Sequence, residues 1–112
     1  MPTITAETAQ GPKIVDGTAG RRLVLVLEDG GVDILHRCGG NARCTTCRVE
    51  ILEGETPPMG DTERECLTLR GALEEGFRLS CQIRVVDDLK VKVLKQVSTE
   101  NMDAGPRPEE WE

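Results

Sequence analysis

Aromatic side chains are almost missing from this sequence. Phe77 and Trp111 are the only two, and there is no tyrosine. That excludes an aromatic stacking platform for single-stranded nucleic acid, and it leaves the core to aliphatic residues. Histidine is nearly missing too. His36 stands alone, so no site can require two imidazoles. No apolar run approaches the ~18 residues of a membrane span. No apolar segment follows a basic N-terminus, as it would in a secretory signal. Basic residues are the minority, 14 Lys and Arg against 20 Asp and Glu, for a net charge of −6. The expectation is a chain that binds neither nucleic acid nor membrane.

What the sequence does have is sulfur and glycine, five Cys and 12 Gly in 112 residues. That length suits one compact domain. An odd number of cysteines with no sign of export favours metal or redox chemistry in a reducing cytoplasm over a disulfide scaffold. Cys38, Cys44 and Cys47 follow the spacing C-x5-C-x2-C, and Cys81 lies beyond 33 intervening residues. Cys66 lies between them, outside the pattern.

Residues 3–7 read as a β-like run, and residues 13–16 can pair back on it as a hairpin. Residues 23–27 are continuously apolar and fit either a buried strand or a buried helix. Residues 36–47 are small, polar and Gly-containing, which predicts a loop. A strand follows over 48–52, and Pro57-Pro58 then forbids regular structure. Thr62-x-x-Glu65 has the form of a capping box and opens a helix. Cys66, Leu69 and Leu73 are expected on its buried face. Residues 77–85 alternate apolar and polar, the pattern of a strand, and Val91 and Val93 mark a last one. The expected domain is 1–97. Residues 98–112 are polar with a net charge of −4, and read as an acidic, disordered tail.

Four thiolates can hold a [2Fe–2S] cluster, three from one tight loop and one from elsewhere. The loop must wrap an anionic core with little bulk, and Gly39, Gly40, Ala42, Thr45 and Thr46 meet that need. Structural zinc usually takes two close Cys pairs, whereas only Cys44 and Cys47 form one here. A thioredoxin-type pair needs its first Cys at a helix N-terminus, whereas Cys47 runs into a strand. Both alternatives weigh less than iron–sulfur. Cys66 reads as a small buried hydrophobe. His36 reads as a packing or capping residue beside the loop.

The run C-G-G-N-A-R-C-T-T-C-R-V at 38–49, with R-L-S-C-Q-I at 78–83, resembles the [2Fe–2S] ferredoxins of the plant and vertebrate-adrenal superfamily. The resemblance covers roughly residues 13–97, and the x5 spacing is similar to the adrenodoxin or bacterial branch. It implies an α+β fold, the ubiquitin-like β-grasp, a mixed sheet with a crossing helix. It places the hairpin at 3–16 and the helix at about 21–30. It implies that Cys38, Cys44, Cys47 and Cys81 bind the cluster iron. It also implies a small soluble electron carrier, not an enzyme, passing single electrons from a reductase to an acceptor protein. An iron–sulfur assembly ferredoxin is the alternative, with a structural zinc module further behind.

The sequence departs from that family in carrying Arg48 where adrenodoxin-like proteins often have His. Its rim is rich in Arg, with Arg37, Arg43 and Arg48. Residues 50–65 hold six acids and only Arg64. Asp61, Glu63 and Glu65 fall where adrenodoxin-like proteins dock redox partners, so they are the expected docking residues of a monomer.

Overall fold

The computed structural model describes residues 2–37, 39, 46–71, 73–101 and 103–109. Strands β1 (Thr3–Thr8) and β2 (Gly11–Asp16) form the predicted antiparallel hairpin, in register from Thr3 opposite Asp16 to Thr8 opposite Gly11. Helix α1 (Leu23–Asp29) follows. Strand β3 (Arg48–Glu53), helix α2 (Asp61–Leu69), the two-residue strand β4 (Arg78–Leu79) and strand β5 (Leu89–Val93) complete the frame. A one-turn helix, α3 (Val97–Glu100), comes last. The sheet order is β2-β1-β5-β3-β4, with β1 parallel to β5 and every other pair antiparallel. This is the expected β-grasp: a mixed sheet with a helix between its hairpin and the remaining strands.

The ambiguous run at 23–27 is helix. All five of its residues are buried, so this part of α1 is apolar on every side, and the charged Glu28 and Asp29 come only at the helix end. It packs against β2 and the turn at 80–82. Leu23 N–H donates to the Ile83 carbonyl at 2.9 Å, and Val85 N–H donates to the Arg21 carbonyl at 2.9 Å. These bonds fix the helix start beside Cys81. Ile4, Ala6, Val49, Leu67, Leu79, Val91 and their neighbours fill the rest of the aliphatic core.

Three expectations are corrected. Helix α2 begins at Asp61 with Gly60 as its cap, and no side chain bonds the exposed N–H groups, so Thr62 and Glu65 form no capping box. Its buried residues are Glu63, Cys66 and Leu67, whereas Leu69 is 79% exposed. The predicted strand over 77–85 keeps its alternating burial except at Ser80, which is fully buried, and pairs for only two residues before a 3-10 turn at Ser80–Gln82.

The C-terminal region also differs from the disordered tail the composition suggests. Residues 97–100 are helical, Pro108 is buried, and residues 103–109 bond to the main body. Trp111 lies outside the described residues.

Candidate functional site

Cys47 ends a turn immediately before β3, and Cys81 sits in the 3-10 turn immediately after β4. Because Arg48 pairs with Leu79, the antiparallel register carries Cys47 alongside Ser80. Ser80 donates both its N–H, at 3.0 Å, and its hydroxyl, at 2.7 Å, to the Cys47 carbonyl. The chain then leaves the sheet, and Cys81 follows at the turn. Both cysteines are buried, at 1% and 0% exposure. The structure therefore brings together two of the four predicted sulfur residues. Cys38 and Cys44 lie outside the described residues, as does Arg43.

The two ends of the intervening loop are described. Arg37 N–H donates to Thr46 Oγ1 at 3.0 Å, which draws the loop's mouth together. Gly39 N–H donates to the His36 carbonyl at 2.9 Å, and Gly39 holds φ at +67°, a left-handed conformation that suits glycine. Two side-chain donors reach Cys81, one at its carbonyl and one at its sulfur. Arg22, only 6% exposed, donates from Nε to the Cys81 carbonyl at 2.8 Å, and Gln82 Nε2 lies 3.5 Å from Cys81 Sγ. Arg48 stacks its guanidinium 4.3 Å from the Phe77 ring centre, beside Cys47. A buried thiol sulfur with an amide donor beside it, and an arginine on the adjoining main chain, suits an anionic iron–sulfur core.

Residues 8–86 match the family described as the 2Fe-2S iron-sulfur cluster binding domain. The chain belongs to this family. It is 39% identical over 85 residues to a 2Fe-2S ferredoxin of Haemophilus influenzae, covering 73% of this chain and 75% of that one. It is 40% identical over 81 residues to a component of the Na(+)-translocating NADH-quinone reductase of Chlamydia felis, covering 72% of this chain. There the match spans only 18% of the relative's length. Among solved structures it is similar to a ferredoxin from Rhodopseudomonas palustris HaA2, with a TM-score of 0.70 and 31% identity over 85% of this chain and 99% of that one. It is also similar to a chain of the covalent putidaredoxin reductase–putidaredoxin complex, with a TM-score of 0.67 and 28% identity over 81% and 96%. The cofactor of this family is a [2Fe–2S] cluster, and the chain spans only about a fifth of the reductase component it matches.

Glu63 is corrected as a docking residue. It is 1% exposed and turned inward. Arg78 grips both of its oxygens, from Nε at 2.8 Å and Nη2 at 2.9 Å, and Leu79 N–H donates to it at 2.9 Å. Arg78 also reaches Thr56 Oγ1 and the Pro57 carbonyl. The pair ties α2 to the strand that leads into Cys81. Asp61 and Glu65 remain exposed on the same helix. Cys66 is buried in the core, as expected of a small hydrophobe.

Sequence reasoning missed a second set of residues around His36. His36 is 3% exposed, and its Nε2 meets Glu28 Oε2. Its Nδ1 has no partner among the described residues. Arg107 binds Glu28 and Asp29, and Arg21 also binds Asp29. The Arg21 hydrogen bond is the main reason the Asp29 carboxyl sits below the usual carboxylate range. Burial opposes it, and Arg107 reinforces it. No local motif joins Glu28 to partners eight and 79 positions away.

Proposed function

We propose that Cys38, Cys44, Cys47 and Cys81 are the four cluster ligands, and that the protein passes single electrons from a reductase to an acceptor protein. The observation that carries the ligand assignment is the pair of hydrogen bonds from Ser80 to the Cys47 carbonyl, which brings the neighbourhoods of Cys47 and Cys81 together. When bound, the cluster supplies a one-electron couple between diferric and mixed-valence iron. The residues of the chain hold it and tune it. The buried cysteines exclude water, and the sulfur environment of Cys81 includes the Gln82 amide. Arg22 holds the Cys81 main chain in place.

Redox partners dock, in this account, on the exposed carboxylates Asp61 and Glu65, helped by the exposed Leu69 on the same helix. Such charge mainly accelerates encounter with a basic partner and fades with salt. The carrier acts as a monomer in a reducing cytoplasm. No helix among the described residues is long and apolar enough to cross a membrane.

The test is a reductive titration of the purified protein followed by visible absorption and electron paramagnetic resonance (EPR). The account predicts uptake of one electron per two irons. Uptake of two electrons, or none, contradicts it.

A further inference from the structure

The C-terminal segment lies across the stem of the proposed cluster loop. The Ala104 carbonyl accepts the His36 N–H at 2.9 Å, and the Asp103 carbonyl accepts from Arg37 Nη1 at 3.0 Å. The crossing is backbone on backbone. Gly105 holds φ at +96°, and a Cβ there would stand 2.6 Å from Arg37 Cα and 3.0 Å from the His36 carbonyl oxygen. Further on, the Glu109 carbonyl accepts from Arg22 Nη1 at 3.0 Å, and Arg22 also holds the Cys81 carbonyl. One segment thus reaches both the stem that leads to Cys38 and the main chain at Cys81.

Between these two contacts Arg107 turns back onto the end of α1. Its Nη1 donates to Glu28 Oε1 at 2.5 Å, and its Nη2 donates to Asp29 Oδ1 at 2.9 Å. The other oxygen of Glu28 meets His36 Nε2. A planar guanidinium can grip two carboxylates at once, which an ammonium on a flexible stem does poorly. We propose that Arg107 is a positioning residue for the cluster loop. It holds Glu28, Glu28 orients the His36 ring, and His36 fixes the stem from which Cys38 begins. The proposal rests on Cys38 as the first ligand.

An exposed ion pair by itself contributes little, so the argument is about placement rather than global stability. The test uses the cluster-loaded full chain and two readouts, the rate of cluster loss to an iron chelator and the EPR signature of the reduced protein. Arg107→Ala is expected to lose its cluster about fivefold faster than wild type, the factor given by about 1 kcal/mol, and to shift the EPR signature. Arg107→Lys keeps the charge but not the double grip, and is expected to behave like Arg107→Ala. In a Glu28→Gln background, Arg107→Ala is expected to add less than about twofold. Gly105→Ala, which lifts the segment off the stem, is expected to reproduce the faster loss.

Wild-type loss and an unchanged signature in Arg107→Ala overturn the proposal. Full recovery by lysine reduces it to charge and also overturns it, as does an undiminished effect in the Glu28→Gln background. Cys38→Ser separates the two readings. If that variant keeps an intact cluster, the ligand assignment fails whatever Arg107 does.

Discussion

Ser80 holds the Cys47 carbonyl twice, through its N–H and through its hydroxyl. This is where the sheet stops and the proposed cluster site begins. The β3–β4 ladder would carry the chain past Cys81 as an ordinary strand. A hydroxyl at position 80 reinforces its last rung, and the chain then bends into a 3-10 turn that takes Cys81 out of the ladder. Ser80→Ala keeps the rung but loses the hydroxyl bond. The expected cost is about 1 kcal/mol, or a fall in melting temperature of about 4–8 °C, read by thermal unfolding of the loaded protein. An unchanged melting temperature contradicts this role.

Among the described ion pairs, Glu63–Arg78 is the most deeply buried. Glu63 is 1% exposed and accepts three hydrogen bonds. Arg78→Leu leaves the carboxylate buried without its cation, and is expected to destabilise the fold by about 3–5 kcal/mol in denaturant titration. Asp61→Asn and Glu65→Gln on the exposed side of the same helix are expected to change stability by less than about 0.5 kcal/mol.

Those two exposed substitutions are expected to act on encounter instead. Electron transfer from the reduced protein to a basic haem protein, followed by stopped flow at low ionic strength, is expected to slow in Asp61→Asn/Glu65→Gln. The difference from wild type is expected to vanish near 1 M salt, where screening acts within about 3 Å. Equal rates at low salt contradict docking on this face.

Asp33 gives a pH dependence. Burial works to raise its pKa, but the Gln96 amide at 2.5 Å and the Ser98 N–H at 2.9 Å overcome that and hold the carboxyl below the usual carboxylate range. A depressed folded-state value stabilises the ionised fold. The contribution is complete above about pH 4 and is lost as pH falls through the folded value. Asp33→Asn is therefore expected to melt below wild type at pH 6, with the gap closing as the pH is taken below about 4. A gap of constant size contradicts the assignment.

Much of this was legible in the sequence, for reasons that can be stated. The hairpin shows because short β-rich runs flank a turn, and the structure puts that turn at Ala9 and Gln10, ahead of Gly11 at φ +100°. Helix α1 is not legible from periodicity, since its run 23–27 is buried on every side and has no period to show. It followed from family resemblance. The inner face of α2 was misread because a carboxylate was assumed to face water. With Arg78 opposite, Glu63 can share the buried face with Cys66 and Leu67, and Leu69 turns out to solvent. The C-terminal segment was misread for another reason. Its acceptors are the backbone carbonyls of Asp103, Ala104 and Glu109, and a carbonyl has no signature in composition.

The most direct test of the central claim is iron, sulfide and EPR analysis of anaerobically purified wild type, Cys66→Ser and Cys81→Ser. Wild type and Cys66→Ser are predicted to hold about two irons and two sulfides per chain and to share one reduced-state signature. Cys81→Ser is predicted to lose the cluster or to change that signature. An intact, unchanged cluster in Cys81→Ser, together with its loss in Cys66→Ser, would contradict the account.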